Sequence, residues 1–286
     1  MVVGVTGASG QLGQLVIAEL KKRIGADRII ALARSPEKVS DNHVSTRAFD
    51  YERKEALTPA LQGIDTLIII SSVGPGKRVV HHSNVIEAAK VAGIAHILYT
   101  SVLHTDTSSW ALVNDHKITE AELRDSGVPT TIMRHSIYSD IYIPRIAEAV
   151  KKGYYYGSVG KGRTASASRA DLAEALAIVA TSEHPQGYKV LELAGDDAWM
   201  MEELAAETSL QMARWIPYRN LSTEEYVAEL VAQGTPEDRA SIIVGLDTVM
   251  REGALFDDTK ALSNVLGRPT ASLKELVAMG IKAAGQ

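Results

Sequence analysis

The chain has 286 residues, room for one sizeable α/β domain and a smaller companion. Hydrophobic residues at 45% support an ordinary core, and a formal net charge of -5 without any Lys/Arg run gives no electrostatic footprint for nucleic acid. The absence of cysteine excludes disulfides, thiolate metal sites and a Cys nucleophile; with no signal-peptide pattern at the start and no apolar run near the roughly 20 residues that span a bilayer, the expected location is the cytoplasm.

In chain order, Val2–Thr6 reads as a first strand and Gln11–Ile24 as a helix with Leu12, Leu15, Val16 and Leu20 on one face. Arg28–Arg34 is a second strand, nearly continuous in apolar residues because helices cover both faces. His43–Phe49 is a weaker third strand, followed by a short helix at Glu52–Leu61. Thr66–Ile70 and His96–Thr100 are buried strands around a helix at Val79–Val91. A helix ending at Thr119–Asp125 and a strand at Thr130–Arg134 complete the alternation, which predicts a Rossmann-type doubly wound parallel sheet. Beyond it come helices at Ile146–Lys152 and Ser168–Thr181, a short strand at Tyr154–Tyr156, and helices at Glu202–Ser209, Thr223–Gln233, Glu237–Arg251 and Ser272–Ala284. The expected division is a nucleotide-binding domain over 1–135 and a smaller, mainly helical substrate lobe over 136–286, with interleaving left open.

Thr6-Gly7-Ala8-Ser9-Gly10-Gln11-Leu12-Gly13 joins the first strand to the first helix with GxxGxxG spacing. Gly7 permits the tight turn, Gly10 lets backbone amides approach a diphosphate, and Gly13 allows close helix–strand packing. The free amides at the helix N-terminus add to this anion site. At the end of the second strand, where NAD-binding chains carry an acid for the ribose hydroxyl, stands Arg34, suited to a 2′-phosphate. NADPH is therefore the expected cofactor. Asp50 and Tyr51 follow the third strand, where adenine would lie; Ser71, Ser72 and Val73, then Thr100 and Ser101, follow the next two and face the ribose and nicotinamide.

No Tyr stands four residues before a Lys. Lys117 has Val113 at that position, so carbonyl reduction by a Tyr–Lys dyad is not expected. An acceptor whose reduction leaves a delocalised, weakly basic anion needs no such dyad. His116 is the candidate to orient or protonate the acceptor, since a histidine titrates near neutral pH. Tyr138 and Tyr142 are candidate walls for a flat ring. His81-His82 does not make a metal site, because adjacent helical residues do not face one another.

Taken together, TGASGQLG, the ALAR strand end, the FDY turn, LYTSVLH, HKITEAEL, MRHSIYSD and SASRADLA resemble the NmrA-like atypical short-chain dehydrogenases, in particular their bacterial NADPH:quinone oxidoreductase branch, and are similar to triphenylmethane reductase. The resemblance implies diphosphate contacts at Gly7, Ser9, Gly10, Gln11 and Leu12, the 2′-phosphate at Arg34 and the nicotinamide ribose near Ser71 to Val73. It places His135, Ser136 and Tyr138 along the nicotinamide and substrate mouth, with Tyr138 central, and Arg169 as a second-lobe residue facing the cofactor. His135-Ser136 replaces the Asn-Gly common in that branch, which puts a titratable side chain beside the pocket. The function expected is quinone reduction by NADPH, with no metal and no nucleic-acid or membrane partner; a homodimer stays open. A cationic dye-like aromatic or an enone is a second class of acceptor. The alternative is an NADP(H)-binding redox-sensing regulator acting through a protein partner.

Overall fold

The computed structural model describes residues 1–285 apart from 41–42, 72–75, 109, 112 and 183–186. Its strands are β1 (Val3–Thr6), β2 (Ile29–Ala33), β3 (Ser45–Ala48), β4 (Thr66–Ile69), β5 (His96–Val102), β6 (Thr130–His135), β7 (Tyr155–Gly157), β8 (Tyr188–Leu193) and β9 (Tyr218–Asn220). The helices are α1 (Gln11–Ile24), α2 (Lys54–Ala60), α3 (Arg78–Ala92), α4 (Val113–Asp125), α5 (Tyr142–Lys152), α6 (Arg169–Thr181), α7 (Met201–Met212), α8 (Thr223–Ala232), α9 (Glu237–Arg251), α10 (Ala261–Leu266) and α11 (Leu273–Ala283).

Seven strands form one parallel sheet in the order β3-β2-β1-β4-β5-β6-β8. Val5 of β1 stands in register with Ala31 of β2 on one side and Ile68 of β4 on the other. The strand order reverses between β1 and β4, which makes their carboxyl ends the switch point where such sheets take ligands. β2 is apolar and buried along its whole length, as a strand covered on both faces must be. On one face, Leu57 and Leu61 after β3, Val85, Ile86 and Ala89 of α3, and Leu123 of α4 pack on Leu32, Leu67, Ile69, Ile97 and Tyr99. α1 and α6 pack together on the other.

The chain divides into two compact units. The first comprises 1–135, 169–193 and 264–268; the second comprises 136–168, 194–263 and 269–286. The chain thus returns to the first unit for α6 and β8, so Arg169 belongs with the sheet and not with the second lobe.

The second unit holds α5, α7, α8, α9 and α11 with the short parallel pair β7-β9. α11 lies so close on α5 that a Cβ at Gly280 would come within 2.5 Å of Ile146 side-chain atoms. Tyr142 is fully buried, its ring edge-on to Trp199 and its hydroxyl on Met250 Sδ at 3.2 Å. It is a core residue rather than the wall of a ring pocket. Among the described residues no helix is long and apolar enough to cross a membrane.

Candidate functional site

The turn between β1 and α1 is built by backbone alone. Gly7 has φ +61°, a left-handed conformation that side chains disfavour. Its carbonyl accepts the Gly10 amide at 2.9 Å, and the Ala8 amide donates to Leu32 O at 3.3 Å, leaning the turn against β2. A Cβ at Gly13 would sit 2.4 Å from Gly7 O and 2.9 Å from Ala8 Cα, so only glycine lets α1 start this close to β1. At Gly10 the same test meets Gly7 O at 3.2 Å, tight but less severe, so the closest approach lies at Gly13. Gly10 caps α1 without a side-chain hydrogen bond, and no acid stands in the first turn, while Lys21, Lys22 and Arg23 occupy the last. The amides at this N-terminus are left for an external anion. A diphosphate fits this cradle. Gln11 is exposed, Ser9 half-buried with its carbonyl on Gln14 Nε2 at 2.9 Å, and Leu12 is buried under the turn.

Arg34 stands exposed one residue beyond β2, and no acid occupies the end of that strand. Next to it, Phe49 N donates to Ala33 O at 2.9 Å, which brings Asp50 and Tyr51 to the same edge. Asp50 Oδ1 accepts the Glu52 amide at 3.1 Å. Tyr51 stacks edge-on to Phe49 and His81 and reaches Ile70 O at 3.4 Å; burial pushes its phenol up to about 12. Two threonine hydroxyls knit the strand ends together: Thr6 accepts the Ile70 amide at 3.0 Å and Thr100 the Ser71 amide at 2.9 Å. Ser72 and Val73 lie outside the described residues.

One turn beyond this edge the polar residues become a buried network. Ser101 donates to Glu120 Oε1 at 2.6 Å, and Glu120 is paired in two-pronged fashion with Arg134 Nε and Nη2 at 3.0 and 2.6 Å. Tyr99, a buried residue of β5, meets His116 Nδ1 at 2.7 Å and His82 Nδ1 at 3.4 Å. Sequence reasoning singled out His116 and Ser101 but missed Tyr99, Glu120 and Arg134. An arginine inside the otherwise buried strand Thr130–His135 is the signal that could have found them, since such a charge demands partners.

His116 is 3% exposed, and burial, aided by the Arg78 charge, pushes its imidazole down to about 3. The expectation that it titrates near neutrality is therefore corrected: it is a neutral ring at pH 7. His135, at the end of β6, is likewise buried and pushed down to about 3, and its carbonyl accepts Leu103 N at 2.9 Å. It too is neutral rather than a titrating neighbour of the pocket. Lys117 Nζ reaches Ser108 O at 3.3 Å. Arg169 opens α6, half-buried.

In the second unit, Ser136 is buried and its Oγ makes no hydrogen bond among the described residues. Tyr138 is half-buried and forms a parallel bridge with Ala167, fixed by Ser139 N to Ala167 O at 2.9 Å and Ala167 N to Ile137 O at 3.0 Å.

A family model described as NAD(P)H-binding matches residues 7–183, from the first glycine of the turn past the end of α6. The chain belongs to this NAD(P)H-binding family. It is 42% identical to quinone oxidoreductase 2 of Escherichia coli K12 over 278 residues, 96% of this chain and 97% of that protein. The crystal structure of an E. coli NADPH-dependent quinone oxidoreductase complexed with NADPH superposes with a TM-score of 0.92 at 42% identity, covering 97% of this chain and 99% of that one. Citrobacter sp. triphenylmethane reductase gives a TM-score of 0.94 at 32% identity, covering 99% and 100%. The resemblance read from the motifs is borne out by these relatives, and so is the α/β architecture.

Proposed function

We propose that this protein is an NADPH-dependent oxidoreductase of the atypical short-chain dehydrogenase type, reducing quinones or similar electron-poor aromatics in the cytoplasm. The observation that carries the proposal is the uncapped glycine cradle at the start of α1 with exposed Arg34, and no acid, at the end of β2. The 42% identity to a bacterial quinone oxidoreductase along nearly the whole chain supports the choice of acceptor.

The amides of Ser9, Gln11 and Leu12 would hold the diphosphate on a turn shaped by Gly7 and Gly10, Arg34 would hold the 2′-phosphate, and Asp50 and Tyr51 the adenine side. Ser71 and Thr100 would flank the nicotinamide ribose; Ser101 would support this edge through Glu120. His135 and Arg169 would border the nicotinamide, and Ser136 and Tyr138 belong to the second unit, the proposed substrate lobe. When bound, the dihydronicotinamide supplies the hydride. The chain's own contribution is to position and to donate hydrogen bonds. His116 serves as a neutral N–H donor toward an acceptor oxygen rather than as a cationic acid. The hydroquinone anion left by reduction is a weak base and takes its proton from water, so the missing Tyr–Lys dyad costs nothing.

The test is NADPH oxidation by purified protein with a panel of benzoquinones and naphthoquinones, without added flavin and with NADH in parallel. Turnover that favours NADPH supports the proposal. Tight NADPH binding with no oxidation of any acceptor would overturn it in favour of a redox-sensing regulator. Within the same assay, Arg34→Ala should raise KM for NADPH about 10- to 100-fold, the loss of charge-assisted hydrogen bonds worth about 1.5–3 kcal/mol, and leave KM for NADH nearly unchanged. Equal effects on the two cofactors would remove Arg34 from the 2′-phosphate.

A further inference from the structure

The hydrogen bonds around Tyr99 run in one direction, and that direction can be traced from fixed donors. Thr119 Oγ1 gives its only proton to Asp115 O, one helical turn back, at 2.9 Å. It must therefore act as acceptor toward His82 Nδ1, 3.0 Å away, so His82 carries its proton on Nδ1. With Nδ1 protonated, His82 cannot accept from Tyr99. On the other side of the ring, Ser101 has committed its proton to Glu120 at 2.6 Å, and Thr105 has committed its own to Val102 O at 2.6 Å. Neither hydroxyl donates to His116 Nδ1, although Ser101 Oγ lies only 3.5 Å from it. The Tyr99 hydroxyl also faces the Ser71 and Thr119 hydroxyls, and its short 2.7 Å bond to His116 Nδ1 points to that nitrogen as the acceptor of its proton. Burial pushes the Tyr99 phenol up, so its proton stays on oxygen.

We infer that Tyr99 and His82 are positioning residues that lock His116 as the neutral tautomer with its proton on Nε2, presenting one N–H donor and no acceptor to a bound quinone. Tyr99 supplies the proton that occupies Nδ1; His82, oriented by Thr119, removes the competing acceptor. The Tyr99 ring lies beside both imidazoles, 5.3 Å from His82 and 5.8 Å from His116 between centroids. The Nε2 of His116 makes no hydrogen bond among the described residues. A ring free to exchange tautomers would present a lone pair half the time, which repels the oxygen it should hold. The assignment of His116 to the acceptor rests on the proposed function; the tautomer itself does not.

The test uses the full chain labelled with 15N-histidine. Two-bond proton–nitrogen correlations assign the tautomers, with His116→Gln and His82→Gln identifying each signal. The wild type should show His116 protonated on Nε2 and His82 on Nδ1. Tyr99→Phe should release His116 to a tautomer mixture and lower kcat on naphthoquinones about tenfold, with KM for NADPH within twofold. Thr119→Ser should keep both the His82 tautomer and kcat, whereas Thr119→Val should lose both; this pair guards against a folding defect in Tyr99→Phe. Finding His116 protonated on Nδ1 in the wild type overturns the inference, and so does a tautomer unchanged in both Tyr99→Phe and Thr119→Val. Failure of the wild type to oxidise NADPH would count against the proposed function alone, because the spectrum still decides the lock.

Discussion

Below about pH 6.5, the usual value for a histidine, this protein should lose stability steeply, at up to about 4 kcal/mol per pH unit. Three imidazoles carry that expectation. His82, His116 and His135 are 0%, 3% and 4% exposed and are each pushed down to about 3, first by burial. Like charges on neighbouring groups add to the shift at His82 and His116. In the unfolded chain they take up protons near pH 6.5, and in the folded one they refuse them until about pH 3, so the unfolded state binds more protons throughout that window. Stability is therefore fully present above pH 6.5 and drains as the pH falls. By about pH 4.5 the three groups together withdraw roughly 8 kcal/mol, comparable with the whole stability of an ordinary domain. Asp247, whose carboxyl burial pushes up, works with the opposite sign and offsets part of the loss. Urea midpoints measured between about pH 7.5 and 4.5 decide the matter. His135→Asn should flatten the slope by about a third, since one of three proton-linked groups is gone. A pH-independent midpoint over this range would mean that the histidines are not held neutral.

What could be read from the chain and what could not divide along a physical line. β1, β2, β4, β5 and β6 were legible as short runs rich in apolar residues between helical patterns, as strands covered on both faces are, most clearly in Ile29–Ala33. The glycine cradle was legible because its constraints are local: a positive φ at Gly7 and a 2.4 Å clearance at Gly13 admit nothing else. β8 was missed since Tyr188–Leu193 lies at a sheet edge, half-exposed and interrupted by Lys189 and Glu192, so it lacks the apolar signature of the strands it joins. β9, three residues long, is held by pairing with β7 rather than by any pattern of its own. The Ser168–Thr181 helix was recognised as a helix, yet its packing against α1 is a contact between distant segments that periodicity cannot report. The same holds at the candidate site. His116 stood out as a histidine, but its neutrality comes from burial and from the Arg78 charge nearby, which only the folded chain assembles.

The other large effect belongs to Arg134, and removing it should cost about 3–5 kcal/mol, as expected when a buried charge pair loses one partner. Its five N–H groups make five charge-assisted bonds: Nε and Nη2 to Glu120 at 3.0 and 2.6 Å, Nη1 and Nη2 to Asp106 at 2.7 and 2.9 Å, and Nη1 to Glu192 at 2.8 Å. Burial works against the guanidinium charge, but the bonds to the three carboxylates outweigh it and push its pKa up. Arg134→Met leaves the Glu120 carboxylate 3% exposed, with Ser101 its one remaining donor among the described residues. Arg134→Lys should rescue little, because one ammonium cannot reproduce a planar fork shared among three acids. By contrast Asp106→Asn should cost no more than about 1 kcal/mol, since the Asp106 side chain is 70% exposed. The double variant Arg134→Met/Glu120→Leu should recover most of the loss, as an apolar pair replaces a stranded charge. Thermal and urea unfolding of the four variants separate these cases; a loss below about 1 kcal/mol for Arg134→Met would show that water reaches Glu120 and that the network is ornamental. The consequence reaches the candidate site directly. Glu192 of β8 also accepts the His104 amide at 3.0 Å, so this one guanidinium fastens the segment after β5 to β6, β8 and α4. Where Arg134 is lost, Ser101 and His116 lose the frame that holds them at the carboxyl edge, and quinone turnover should fall along with stability.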